Sequence, residues 1–137
     1  MRALGVRRLG QGVALAAVLL AAGSGAAAPV TFHRTTMEDQ PFPAPYHTTT
    51  VRTVVAVHGA VPPHTHPGLE MAYILRGKAE FDIAGQLPLT LPAGDSVAIT
   101  EGRVHGVRNV GSGPLIILST YVLKVGEPLA SPAPTDH

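Results

Sequence analysis

Between residues 78 and 83, polar Lys78, Glu80 and Asp82 alternate with apolar Ala79, Phe81 and Ile83. That period of two predicts a half-buried β-strand with Phe81 facing inward. Short runs rich in Val, Ile, Leu and Tyr recur at 51–58, 70–75, 87–91, 96–100, 105–110 and 115–123. Gly- and Pro-bearing turns divide them at 59–63, 76–77, 84–86, 92–95 and 111–114. Nothing beyond residue 28 has helical period. About eight short strands at this turn spacing predict an all-β sandwich or barrel. The side chains expected inside are Val54, Ala56, Ala72, Ile74, Phe81, Ile83 and Val107.

Both flanks of the strand-rich region read differently. Residues 29–50 carry Pro41, Pro43 and Pro45 and are expected to form an extended arm. Its last part, 48–51, is expected to pair with a sheet edge, that of a second copy included, which makes a homodimer the candidate assembly. The tail, 126–137, holds Pro128, Pro132 and Pro134 and is expected to be mobile at its end. At the other terminus, Arg2, Arg7 and Arg8 precede an apolar run at 13–22 and the small residues of 23–28. This is the three-part pattern of a cleaved export signal, and the run is short for a bilayer span. A retained anchor helix is the alternative. The organisation expected is therefore a signal at 1–28, an arm at 29–50, a barrel at 51–125 and a tail at 126–137. The protein is expected to be exported, to the periplasm or the exterior.

Charge removes several function classes. The signal takes three of the ten Lys and Arg residues, leaving seven basic against nine acidic, a net charge of −2. A mildly acidic domain without a basic run is a poor partner for nucleic acid or an anionic membrane. With no cysteine, neither disulfides nor thiolate metal ligands are available.

The chemistry concentrates in one window. His64 and His66 are two residues apart, the spacing that points both imidazoles to one side of a strand. Glu70 follows a Pro67-Gly68 bend, and His105 lies 35 residues beyond it in another expected strand. Imidazole and carboxylate together suit a divalent first-row metal better than Ca²⁺ or a soft ion. His33, His47, His58 and His137 have no partner at ligand spacing and read as ordinary exposed residues. Among the tyrosines, Tyr46, Tyr73 and Tyr121 are candidates to bring a hydroxyl near the metal, Tyr73 being out of phase with Glu70.

These residues carry a resemblance to the cupins. Gly59, His64-Thr65-His66, Glu70 and Gly77 are similar to that family's first motif. Gly94, Thr100-Glu101-Gly102, His105 and Asn109 are similar to its second. The departures are a gap before His64 one residue shorter than usual, and Thr100 where the family has proline, which is expected to loosen a turn. The resemblance implies a single double-stranded β-helix (jelly-roll) barrel. It implies one divalent ion (Mn, Fe, Ni, Cu or Zn) held by His64, His66, Glu70 and His105, with one or two positions left open. Asn109 is expected to support the site or line its wall, together with Phe81, Ala72 and Val107.

Arg108 is expected to point away from the metal face and Lys78 outward, so the pocket reads as small and apolar. The function expected is a metal-dependent oxygenase- or lyase-type enzyme acting on a small, mostly apolar molecule. Glu70 would be both ligand and proton acceptor. The alternative is a non-catalytic sensor or carrier that binds a metal and a small ligand.

Overall fold

The computed structural model describes residues 31–133, and the signal pattern and His137 lie outside them. Ten strands follow one another: β1 (Phe32–Pro41), β2 (Tyr46–Val55), β3 (Ala60–Thr65), β4 (Gly68–Arg76) and β5 (Lys78–Ile83) come first. After them come β6 (Leu89–Pro92), β7 (Ser96–Ile99), β8 (His105–Asn109), β9 (Leu115–Lys124) and β10 (Ser131–Pro132). They form two five-stranded antiparallel sheets, in the orders β1-β2-β9-β4-β7 and β10-β3-β8-β5-β6. The chain changes sheet at every connection except β1–β2 and β5–β6, so each sheet draws strands from both halves of the sequence. Among the described residues no helix is long and apolar enough to cross a membrane.

The core lies between the sheets and follows the pleat. β9 buries Leu115, Ile117, Ser119, Tyr121 and Leu123 at every second position, and β4 buries Glu70, Ala72 and Ile74. Phe81, Ile83 and Val107 close the core from the second sheet. Two glycines answer to tight local geometry. Gly77 turns the chain from β4 into β5 with φ 87°, a left-handed conformation that side chains strain. At Gly68, an added Cβ would lie 1.9 Å from the carbonyl oxygen of Val122, so only glycine lets β4 start this close to β9.

Three expectations change. Within the extended arm, residues 32–41 form an edge strand antiparallel to β2, and residues 48–51 do pair with a neighbouring strand, β9 of the same chain. The arm–barrel boundary drawn at residue 50 therefore falls inside β2. Thr-rich sequence at 46–50 sustains the strand, because β-branched side chains suit a pleated surface. Inside β2 the phase is the reverse of that expected: Val51, Thr53 and Val55 are buried, and Ala56 is exposed beyond the strand end. The tail also folds back. β10 pairs with β3, and Leu129 packs against Val51, Tyr121 and Leu123.

Candidate metal centre

Four of the expected ligands converge between the sheets. His64 and His105 stand directly opposite each other across the β3–β8 ladder. That ladder is irregular between Val61 and His64, where Pro62 and Pro63 cannot donate. His66 follows at the crossover into β4, and Gly102 N donates to its carbonyl at 3.0 Å. The turn around Thr100 is closed, with Arg103 N donating to the Thr100 carbonyl at 3.2 Å, so the missing proline does not loosen it. Glu70 arrives from the opposite sheet, cross-strand to Tyr121.

The ring nitrogens decide what this cluster can hold. His64 Nδ1 donates to the Pro62 carbonyl at 2.7 Å and His105 Nδ1 to the Arg103 carbonyl at 2.9 Å. His66 Nδ1 donates to the Leu129 carbonyl. A carbonyl only accepts, so each Nδ1 carries the proton and each Nε2 offers a lone pair inward. The ligand atoms of the three imidazoles lie within 4.8 Å of one another. Glu70 Oε2 is 3.1 Å from both His66 Nε2 and His105 Nε2. His66 Nε2 is buried without a hydrogen-bond partner. Lone pairs facing a carboxylate oxygen at this distance need a shared cation, or a second proton on a ring. The donor set fits a borderline transition metal held by imidazole nitrogen.

Electrostatics agree with a site that holds a positive ion. Burial lowers the His64 pKa to about 4; the Pro62 carbonyl opposes this, and His105, His66 and Arg34 add to it. The ring is thus neutral and available as a ligand near pH 7. Burial alone would raise the Glu70 carboxyl, but where the rings carry a second proton at Nε2, hydrogen bonding from His105 and then His66 outweighs burial and holds the group well below the usual carboxylate range. Burial, then the Glu70 charge, pushes the Tyr121 phenol above its usual range, so its hydroxyl stays protonated and donates to Glu70 Oε1 at 2.9 Å.

A model of the cupin domain family matches residues 51–121. The chain belongs to the cupin family. It is 33% identical to germin-like protein 5-1 of Oryza sativa subsp. japonica over 99 residues, 62% of this chain and 43% of the relative. It therefore spans less than half the length of that curated relative. An uncharacterized Klebsiella pneumoniae protein with a double-stranded β-helix domain superposes with a TM-score of 0.63 at 22% identity, covering 77% of this chain and 90% of the other. The DMSP lyase DddQ of Ruegeria pomeroyi also gives 0.63, at 26% identity over 75% of this chain and 52% of its own.

Within this cupin barrel the other expected site residues divide. Phe81 and Val107 line a small inner cavity of about 20 Å³ beside His64, Glu70 and His105. Ala72 is buried in the core, away from the cavity lining. Asn109 is not a wall residue. Its Nδ2 donates to the carbonyls of Val55, Ala56 and Gly113, and its Oδ1 accepts from Gly111 N. It fastens the β8–β9 turn to the end of β2. Arg108 does point outward, where it pairs with Glu80. A wider depression of about 450 Å³ runs along the second sheet, lined by Asp82, Gly106 and Arg108 and also by His105.

The apolar pocket expected from sequence is corrected by four polar residues on the same cavity: Arg34, Thr53, Ser119 and Tyr121. Sequence reasoning missed Arg34, Thr53 and Ser119, and of these Arg34 is the charged one. It comes from β1, and its Nη2 donates to His64 Nε2 at 3.2 Å. Its signal is faint: Phe32 and Arg34 are half-buried while His33 and Thr35 are exposed, a two-residue alternation hidden in a polar stretch.

Proposed function

We propose that this cupin holds one first-row divalent ion through the Nε2 atoms of His64, His66 and His105 and Oε2 of Glu70, and acts on a small molecule as an oxygenase- or lyase-type enzyme. The observation that supports the reading most is the set of inward lone pairs, each fixed by a backbone carbonyl on the far side of its ring. A bound ion of this class supplies Lewis-acid or redox chemistry at its open position. The chain's own residues hold the surroundings. Glu70, held ionised, is suited to ligation, and the proton-acceptor role expected for it is part of this proposal. Tyr121 keeps a proton at Oη, aimed at Glu70. Phe81, Val107 and Ile117 restrict water beside the cluster.

The inner cavity holds little more than a water molecule, and that small size supports the second reading, a carrier or sensor. Apo-protein loaded separately with Fe(II), Mn(II), Ni(II), Cu(II) and Zn(II), and offered phenolic, enol and small-acid compounds with and without oxygen, separates the two. Turnover with at least one metal is expected, and turnover in Glu70→Gln is expected to fall with metal content. Compounds bound and recovered unchanged with every metal would establish the carrier reading instead.

Homodimer formation moves to a different surface from the one expected. Met71, Tyr73 and Leu75 stand at alternate positions on the outer face of β4, each more than two-fifths exposed. This apolar row supports pairing of two copies across that face. A monomer by light scattering at micromolar concentration would remove the assembly.

A further inference from the structure

A groove of about 230 Å³, walled by Phe32, Pro62, Pro63, Ala130 and Pro132, lies beside the inner cavity and shares Arg34, Val61 and His64 with it. Its walls are apolar except where Arg34 and His64 meet the cavity. Arg34 is thus the one cation among the described residues lining either space.

The guanidinium is incompletely satisfied. Its Nε is buried without a hydrogen-bond partner, and no carboxylate lies within ion-pairing distance of it among the described residues. Its Cζ sits 5.4 Å from the Phe32 ring centroid, which steadies the group against one groove wall. The contact of Nη2 with His64 Nε2 uses the lone pair that a metal would need. With that lone pair committed to a metal, Nη2 loses its acceptor, and Nε and Nη2 become a two-donor fork with nothing to bind. A half-buried cation with a buried, unpartnered Nε is costly, and a planar anion with two oxygens satisfies both donors at once.

We infer that Arg34 is an anion-recognition residue and that the ligand of this site is a small monocarboxylate, its head between Arg34 and the metal and its short apolar body in the groove beside Phe32. The inference rests on the metal-centre reading for half of the head-group contacts, and on Arg34 for the rest. Size argues for carboxylate over phosphate. The inner cavity of about 20 Å³ admits one or two oxygens, which a planar carboxylate head matches and a tetrahedral phosphate exceeds.

The test is calorimetric titration of the full chain, metal-depleted and reloaded with Zn(II), with butanoate, butanamide and inorganic phosphate, and with metal content measured on each sample. Butanoate is expected to bind the loaded protein, and Arg34→Met to weaken it at least about tenfold, the loss of a charge-assisted two-donor contact. Arg34→Lys should fall between the two and keeps the charge in place if Arg34→Met misfolds. Butanamide should be indifferent to both substitutions. Unchanged butanoate affinity in the variants, no butanoate binding to wild type, or phosphate binding more tightly than butanoate would each overturn the assignment. Arg34-dependent binding by protein that retains no zinc would support the anion site while overturning the metal centre. Retained zinc with Arg34-independent binding would do the reverse.

Discussion

The two sides of the inner cavity are built in different ways. On one, His64 and His105 are opposite partners in an antiparallel ladder, and each imidazole is held from behind by a backbone carbonyl. Glu70 is positioned there too, between the rings and the Tyr121 hydroxyl. On the other side Arg34 extends from β1, the edge strand of its sheet, on a long side chain with an unpartnered Nε. The first arrangement leaves little freedom, as coordination requires. The second keeps donors in reserve on a side chain able to adjust to what enters. Ion binding and ligand recognition are thus assigned to parts of different rigidity, and changes on the two sides should have separable effects.

The largest separation should appear in metal content. His105→Ala or His64→Ala is expected to reduce bound first-row metal from about one ion per chain to a small fraction, because losing one ligand also leaves its neighbours misoriented. Arg34→Met should leave metal content at the wild-type level, since the guanidinium competes for the His64 lone pair and supplies none. Elemental analysis of the purified variants checks both. Equal metal in wild type and the histidine variants would break the comparison at its base, and metal loss in Arg34→Met would place Arg34 on the wrong side of it.

How much of this was legible follows from the same division. The ligands are readable because their chemistry is local: two imidazoles two residues apart must share a side of a strand, and Glu70 and His105 complete a set at spacings resembling a family motif. The strand from Lys78 to Ile83 is readable at both ends because every second residue is charged. β1 is not. Its ten residues are mostly exposed because it is an edge strand, so the alternation that marks a strand is nearly absent. Its register with β2 runs from Pro41 opposite His47 to Phe32 opposite Val55, and the prolines at 41, 43 and 45 mark only the end of β1 and the turn after it. The phase of β2 is ambiguous for the opposite reason. Val51, Val54, Val55, Ala56 and Val57 place apolar residues at both parities, and only pairing with β9 selects one.

A second experiment sharpens the comparison by separating fold from site. Asn109 lies four residues from His105 on β8, yet its four hydrogen bonds all go to backbone around the β8–β9 turn and the end of β2. Asn109→Ala leaves those groups unpaired and is expected to cost about 2–4 kcal/mol in urea unfolding, on the scale of buried hydrogen-bond losses. Zinc affinity of the folded variant should stay near wild type. A variant of unchanged stability that loses zinc would return Asn109 to the metal centre.

The smallest effect concerns pH, and its sign follows from His64. In the folded chain its pKa is lowered to about 4, chiefly by burial, whereas the ordinary value is 6.5. Between those values the unfolded chain binds the proton more readily than the folded one, so metal-free stability should rise with pH across the window and level off above it. The slope from this one group is about 1.4 kcal/mol per pH unit within the window. Glu70 acts in the same direction at the acid end: its folded carboxyl is held below the ordinary 4.5, so the stability it contributes is lost as pH falls beneath that value. Urea unfolding of metal-depleted protein from pH 7.5 to 4 should show the decline with a constant denaturant slope. Zinc should steepen the dependence, because protons and metal compete for the same Nε2 lone pairs below about pH 6. Arg34→Met removes a cation that lowers the His64 pKa, so its decline should begin at the same upper pH and end slightly earlier. A metal-free stability curve flat from pH 7 to 5 would mean that His64 is not buried neutral, and the rigid side of the comparison would lose its electrostatic basis.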